Sequence, residues 1–315
     1  MARPLWRVMM TVLLLPSLMK SCPCARSQEQ ESRPHLTPGE VRRYQRARTP
    51  LDWTPEEIRV NRDLQHLHPA ESQRDLPVIL KKVGESVAML FQNLPNTTCT
   101  EKVQSHVGIF QPHFVHDEDS TRWFRYLLLV HLQQGTPVLE EYRTDMDGNT
   151  IDDAQSPHAP VLTSYFISSS ALIFYPQNQP ACRFRYFGRQ EIEGRECEVV
   201  GFAQIPDGDP AVTVLRIRDR TVGLVLQGLA WIDAANHEML RIQTDLLAPR
   251  PDVGVRVLST EIDFRDIHLA ETPATFRLPT RVGVDIWNSG QHFRNIHEYS
   301  DFKLFRVQSR IGGTP

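Results

Sequence analysis

From about Thr100 to Arg306 the chain reads as an uninterrupted series of β-hairpins, and this limits the folds open to it more than any other feature. The clearest unit runs Gly228–Asp233, then Ala234-Ala235-Asn236-His237, then Glu238–Leu247. In its second arm Leu240, Ile242, Thr244 and Leu246 alternate with polar residues, as in a strand with one buried and one wet face. Further arms are Arg122–Leu132 with Val138–Thr144, and Cys182–Ile192 with Glu196–Gln204 about Glu193-Gly194. Thr221–Asp233, Val255–Leu269, Leu278–Trp287 and His292–Phe305 complete the series, the last two joined at Asn288-Ser289-Gly290. A long antiparallel sheet with few helices must close on itself or wrap around something apolar.

Ahead of the strands lies an amphipathic helix, residues 76–94. Leu76, Leu80, Val83, Val87, Leu90 and Leu94 recur at steps of four and three and form one stripe. Asp75 stands at its N-cap, and Pro77 is tolerated in its first turn. Residues 28–75 are polar and proline-punctuated. Two capping boxes, Thr37-Pro38-Gly39-Glu40 and Thr54-Pro55-Glu56-Glu57, predict short helices over about 38–47 and 55–64. Arg42, Arg43, Arg46 and Arg48 give the first a basic face, suited to anionic lipid or simply to water in a mobile arm. Residues 307–315 form a tail.

Residues 1–27 have the layout of an export signal: Arg3 and Arg7, an apolar run over Val8–Leu18, and Ala25-Arg26-Ser27 before Gln28. A lipoprotein reading would place acylation at Cys22, although Lys20 fits a lipobox badly. The expected compartment is the periplasm or another exported location. After the first twenty residues no run is long and apolar enough to cross a bilayer. A net charge of −3 argues against nucleic acid as a partner. Cys99, Cys182 and Cys197 remain in the mature chain, allowing at most one internal disulfide. A hairpin about Glu193-Gly194 sets Cys197 opposite Gln190, not Cys182.

The residues show no catalytic motif: no Gly-x-Ser-x-Gly elbow, P-loop or His-Glu-x-x-His. His113–Asp119 is dense in His and carboxylate and could be a metal loop or a solvated acidic turn. Asp145–Asp153 is similar to a calcium loop but lacks a ligand before Gly148 and a terminal Glu, and Asp-Gly-Asn suffices as a turn. Glu140 and Glu141 are adjacent on a strand and face opposite ways. No cofactor is expected.

Several segments carry a resemblance to a known family. They are Phe184-Arg185-Tyr186-Phe187-Gly188, Ile192-Glu193-Gly194-Arg195, Gly228-Leu229-Ala230-Trp231-Ile232-Asp233 with Leu240-Arg241-Ile242, Leu278-Pro279-Thr280-Arg281-Val282 and His297-Glu298-Tyr299-Ser300-Asp301-Phe302. Over residues 76–306 the chain resembles the outer-membrane lipoprotein-sorting superfamily, the LolA/LolB/RseB-like proteins. The resemblance implies a mainly β (α+β) fold, an unclosed antiparallel β-barrel or curved sheet wrapped around the amphipathic helix and a lid segment. It also implies an apolar concave face that takes up acyl chains. On that view Leu162–Tyr175 is the lid, and Leu162, Phe166 and Trp231 are the cavity contacts. The chain is then expected to be a non-enzymatic carrier for a lipid, lipoprotein or other amphiphile, with peripheral membrane contact as an option. The alternative is an envelope interaction or sensing module with a filled interior. The sequence leaves the oligomeric state open.

Overall fold

A computed structural model describes residues 36–111, 114–133, 136–149, 151, 171–206, 213–217, 220–270, 272–288 and 290–305. The strands are β1 (His68–Pro69), β2 (Thr97–Gln111), β3 (Phe114–Gln133), β4 (Thr136–Thr144), β5 (Cys182–Ile192), β6 (Arg195–Gln204), β7 (Thr213–Ile217), β8 (Arg220–Leu224), β9 (Leu226–Asp233), β10 (Met239–Leu246), β11 (Val255–His268), β12 (Thr275–Asn288) and β13 (Gln291–Leu304). Eleven of them form one antiparallel sheet in the order β1-β5-β6-β9-β10-β11-β12-β13-β2-β3-β4, while β7 and β8 pair separately. The sheet is curved and unclosed. Its order is largely a meander with two long-range junctions, β1 with β5 at one edge and a longer seam where β13 pairs with β2 from Gln291↔Ile109 to Leu304↔Thr97.

The long helix, α3 (Leu76–Asn93), lies on the inner face and buries Ile79, Val83, Val87 and Phe91 in the main core. Burying side chains of this size stabilises by roughly 1.5–3 kcal/mol each. The buried stripe is centred on Ile79 and Phe91 as well as the two valines, whereas Leu76, Leu80 and Leu90 lie at its margin. Asp75 is the N-cap residue by position but makes no side-chain cap hydrogen bond. Gly84 allows a close approach: a Cβ there would come within 2.7 Å of the Gln179 amide nitrogen.

The arm does not hang free. Both capping boxes form, on α1 (Pro38–Gln45) and α2 (Pro55–Val60). The second helix is shorter than its capping box and length suggested, because a 3-10 turn over Arg62–Leu64 follows Asn61. The arm then lies across the outer face of β5, β6, β9 and β10. Leu64 joins Phe187, Val199, Leu229 and Trp231 in a second apolar cluster, with Trp53, Ile58 and Leu67 packed against it. Tyr44 joins a third with Ala203, Val225 and Leu247. Arg42, Arg43, Arg46 and Arg48 stay exposed as a solvated basic face requires, while scattered apolar residues whose spacing follows no single period dock the arm on the sheet. Polar contacts hold the backbone: Arg185 Nη1 donates to the carbonyls of Leu51 (2.9 Å) and Trp53 (2.8 Å), and Gln190 Nε2 to those of Asp63 (3.0 Å) and Gln65 (2.9 Å).

The arm also finishes one edge of the sheet. β1 pairs with β5 at Pro69↔Gly188. Gly188 has φ +130°, and a Cβ there would lie 2.0 Å from the His68 oxygen. Beyond it Gln73 takes the place of a strand: its Nε2 donates to the Tyr186 carbonyl (2.8 Å) and its Oε1 accepts from the Tyr186 N–H (2.7 Å). An open edge invites pairing with other chains, and this one is blunted.

Three strand assignments change. β2 is an additional strand, and β3 runs straight through residues expected to be a loop, since Asp117, Glu118 and Asp119 pair with Gly108, Val107 and His106. The expected strand Thr221–Asp233 divides at Val225, its first part pairing with β7 as β8 and its second lying in the main sheet as β9. His113 lies outside the described residues. Cys197 does face Gln190. Cys99, Cys182 and Cys197 are all free and buried, and burial pushes the Cys182 thiol up to about 12 and the Cys197 thiol to about 11. They are therefore poor nucleophiles.

Candidate functional site: the inner face of the sheet

Register decides what the inner face presents. Because side chains alternate, the residues sharing a face with Ile242, Ile262 and Val282 of the main core can be followed from strand to strand. Toward β5 and β6 this face is largely apolar and covered by α3, and its two buried polar side chains are partnered there, Glu198 by Tyr186 and Arg189 and Gln204 by the Leu226 N–H. Toward β4 it changes character. On β2 the inward residues are Glu101, Val103 and Ser105, and on β13 they are Asn295, His297 and Tyr299.

These residues include a buried ionic network across four strands. Glu101 is fully buried and His297 is 1% exposed. Arg143 of β4 reaches across β3 to Glu101 with two charge-assisted hydrogen bonds, Nε to Oε2 (2.5 Å) and Nη2 to Oε1 (2.7 Å). From the other side His297 Nδ1 stands 2.8 Å from Glu101 Oε1, and the Tyr299 hydroxyl donates to it at 3.0 Å. Burial alone would raise the Glu101 carboxyl, but Arg143 and His297 outweigh it and hold it at about 2. Burial, with the Glu101 charge, pushes the Tyr299 hydroxyl well above its usual range. The Arg143 guanidinium also lies over the Tyr126 ring, 5.0 Å from its centroid. Glu101 thus stitches β2 to β13 on one side and to β4 on the other. Within it the guanidinium and carboxylate neutralise each other.

Of the residues expected to contact a ligand, Leu162 and Phe166 lie outside the described residues. Trp231 is fully buried, but in the outer cluster under the arm, where its Nε1 donates to Gln190 Oε1 (2.9 Å). On the same strand Ala230 and Ile232 face inward. The strand is apolar on both sides because both sides are covered. A related correction concerns β10: a bulge between Met239 and Arg241 turns Leu240 into the outer cluster, out of step with Ile242 and Leu246. Glu140 and Glu141 do point to opposite faces, Glu141 sharing the inner face with Arg143. Asp145 is satisfied locally: its Oδ1 accepts from the N–H groups of Asp147 and Asn149 and its Oδ2 from the Asn149 side chain, so the carboxylate organises a turn.

No family model matches the chain, and no curated protein matches it. Solved structures that align with it include a putative outer membrane lipoprotein-sorting protein domain from Vibrio parahaemolyticus, at 12% identity and TM-score 0.35 over 71% of this chain and 90% of that one. A LolA superfamily protein from Nitrosomonas europaea aligns at 11% identity and TM-score 0.31, over 73% and 94%. A DUF1329 family protein from Desulfovibrio piger aligns at 12% identity and TM-score 0.37, over 72% and 94%. Such likenesses concern the fold alone, and with TM-scores this low the fold assignment rests on the chain's own strand order and register.

Proposed function

We propose that this is a non-enzymatic, exported binding protein whose inner sheet face receives an amphiphile, a lipid or an acylated protein. The observation that carries the reading is the change along one face of an unclosed sheet, from apolar under α3 to hydrogen-bonding near β2 and β13. A molecule with a tail and a polar end matches such a surface. Each methylene moved from water to the apolar part is worth about 0.8 kcal/mol, so ten carbons would bring micromolar binding after entropy losses. Leu162 and Phe166 are the proposed lid contacts, and Ala230 and Ile232 take the wall position first assigned to Trp231. The signal layout of residues 1–27 supports export. Displacement of a hydrophobic fluorescent probe by fatty acids or lipopeptides is expected to saturate, and Phe166→Asp to weaken it. Absence of binding at high micromolar concentration would remove the carrier reading.

The second reading, an interaction or sensing module with a filled interior, is favoured by one observation: Val83, Val87, Phe91, Ile173 and Phe174 pack without exposure above 4% around α3. Native mass spectrometry after gentle purification separates the two, since a carrier should retain a co-purified small molecule.

A further inference from the structure

A polar track crosses the apolar inner face at right angles to the strands. Thr244 pairs with Thr260, Thr260 with Val284, Val284 with Asn295, Asn295 with Ser105, and Ser105 with Ser120. All six point inward. The adjacent row on one side is Ile242, Ile262, Val282, and on the other Leu258, Ile286, Phe293, Val107. Every side chain of the track except that of Val284 is a neutral hydrogen-bonding group. Polar groups do not normally occupy a buried face unless something pairs with them.

Ser105 is the hydroxyl of the track that stands out. Ser105 is 4% exposed, and its hydroxyl has no hydrogen-bond partner among the described residues. It sits directly opposite Asn295, itself 1% exposed, within the short cross-strand distance that lets two side chains share one ligand group. Charges on the same face are engaged elsewhere: Glu101 and Arg143 with each other, and Arg122 with the face of the Phe124 ring, 5.1 Å from its centroid.

We propose that this track seats the uncharged, hydrogen-bonding part of an amphiphile, an ester or amide carbonyl accepting a hydrogen bond from Ser105 Oγ beside Asn295. The inference rests on the amphiphile reading above and narrows it: head groups are selected for neutral carbonyl and hydroxyl chemistry rather than for negative charge. The acyl tail would then lie along the flanking apolar rows.

The test uses the full chain, a displaceable hydrophobic probe, and two ligands of equal tail length, monomyristoylglycerol and myristate. The glycerol ester is expected to bind more tightly. Ser105→Ala should weaken the ester about fivefold, the worth of one ordinary hydrogen bond, and leave myristate unchanged. The same substitution removes a buried hydroxyl without a partner, so the ligand-free variant should melt at the same temperature or higher. Lower affinity together with unimpaired stability is a signature that a merely structural serine would not give. If Ser105→Ala affects both ligands equally, or neither, the track proposal fails while the amphiphile reading stands. If neither ligand binds the unaltered protein, both fail.

Discussion

The two ends of the sheet are held by different physics. At the β5–β6–β9–β10 end the strands are covered on both faces, by α3 inside and the arm outside, and the cohesive material is apolar. At the β13–β2–β3–β4 end the outer face is wet: Trp123 is 51% exposed, and Lys102 pairs with Glu298 in the open. There the inner face is fastened by Glu101, Arg143 and His297. Apolar burial is tolerant of shape and indifferent to pH, whereas a buried ionic network depends on every member and on its protonation. The contrast is one of degree, since Asp233 of β9 is also buried against Arg195 and its carboxyl is lowered, but the end built on Glu101 should be the more sensitive to acid.

The largest expected effect tests the ionic end. Glu101→Gln leaves Arg143 buried without its counter-charge and should lower stability by about 3–5 kcal/mol in denaturant titrations. Its pH dependence sharpens the contrast. The Glu101 carboxyl is held at about 2, below the ordinary glutamate value of 4.5. A depressed carboxyl adds stability that is fully present above its unfolded value and disappears as pH falls through the folded one. The gap between wild type and Glu101→Gln should be constant from neutral pH to about 5 and narrow toward pH 2. A gap that stays constant down to pH 2 would show that the network is not ionic.

An intermediate effect is expected at the covered end. Gly188→Ala places a Cβ against the His68 carbonyl at φ +130°. It should cost about 1–3 kcal/mol and make the arm the first segment cut in limited proteolysis. If the arm remains protected, its docking does not depend on β1. The smallest effect belongs to the wet outer face. Lys102→Ala removes an ion pair to Glu298 at 2.9 Å between half-exposed side chains, and a change of about 0.2–1 kcal/mol is expected, shrinking further in salt. A larger loss would mean that the outer face at this end is covered after all.

The same division explains what could be read from the amino-acid sequence. Signals that live within a few residues were legible: both capping boxes, the turn at Glu193-Gly194 that sets Cys197 against Gln190, and the α3 stripe. Features that depend on register over long separations were not. Glu101 and Arg143 are 42 residues apart, and Glu101 and His297 are 196 apart. Neither neighbourhood looks special alone, although the alternation Glu101, Val103, Ser105, Val107 already placed a carboxylate and a hydroxyl beside two valines. The arm misled for the opposite reason. Its composition is that of a solvated segment, and its few apolar residues become meaningful only against strands more than a hundred residues later. Trp231 shows the cost of assuming one wet face: the unbroken run Leu229-Ala230-Trp231-Ile232 is the mark of a strand covered on both sides.

The seam between β2 and β13 has a consequence for how the molecule is assembled. Every other junction within the run from β9 to β13, and from β2 to β4, joins strands that are neighbours along the chain and can zip up as hairpins soon after synthesis. The seam joins strands almost two hundred residues apart, so β2 must wait, edge open, until β13 has left the ribosome. Order of synthesis and order of closure run opposite ways. A nascent chain of this kind needs protection of one edge for most of its biogenesis, and loss of Gln291–Leu304 would leave two sheets with raw edges rather than one slightly shortened sheet.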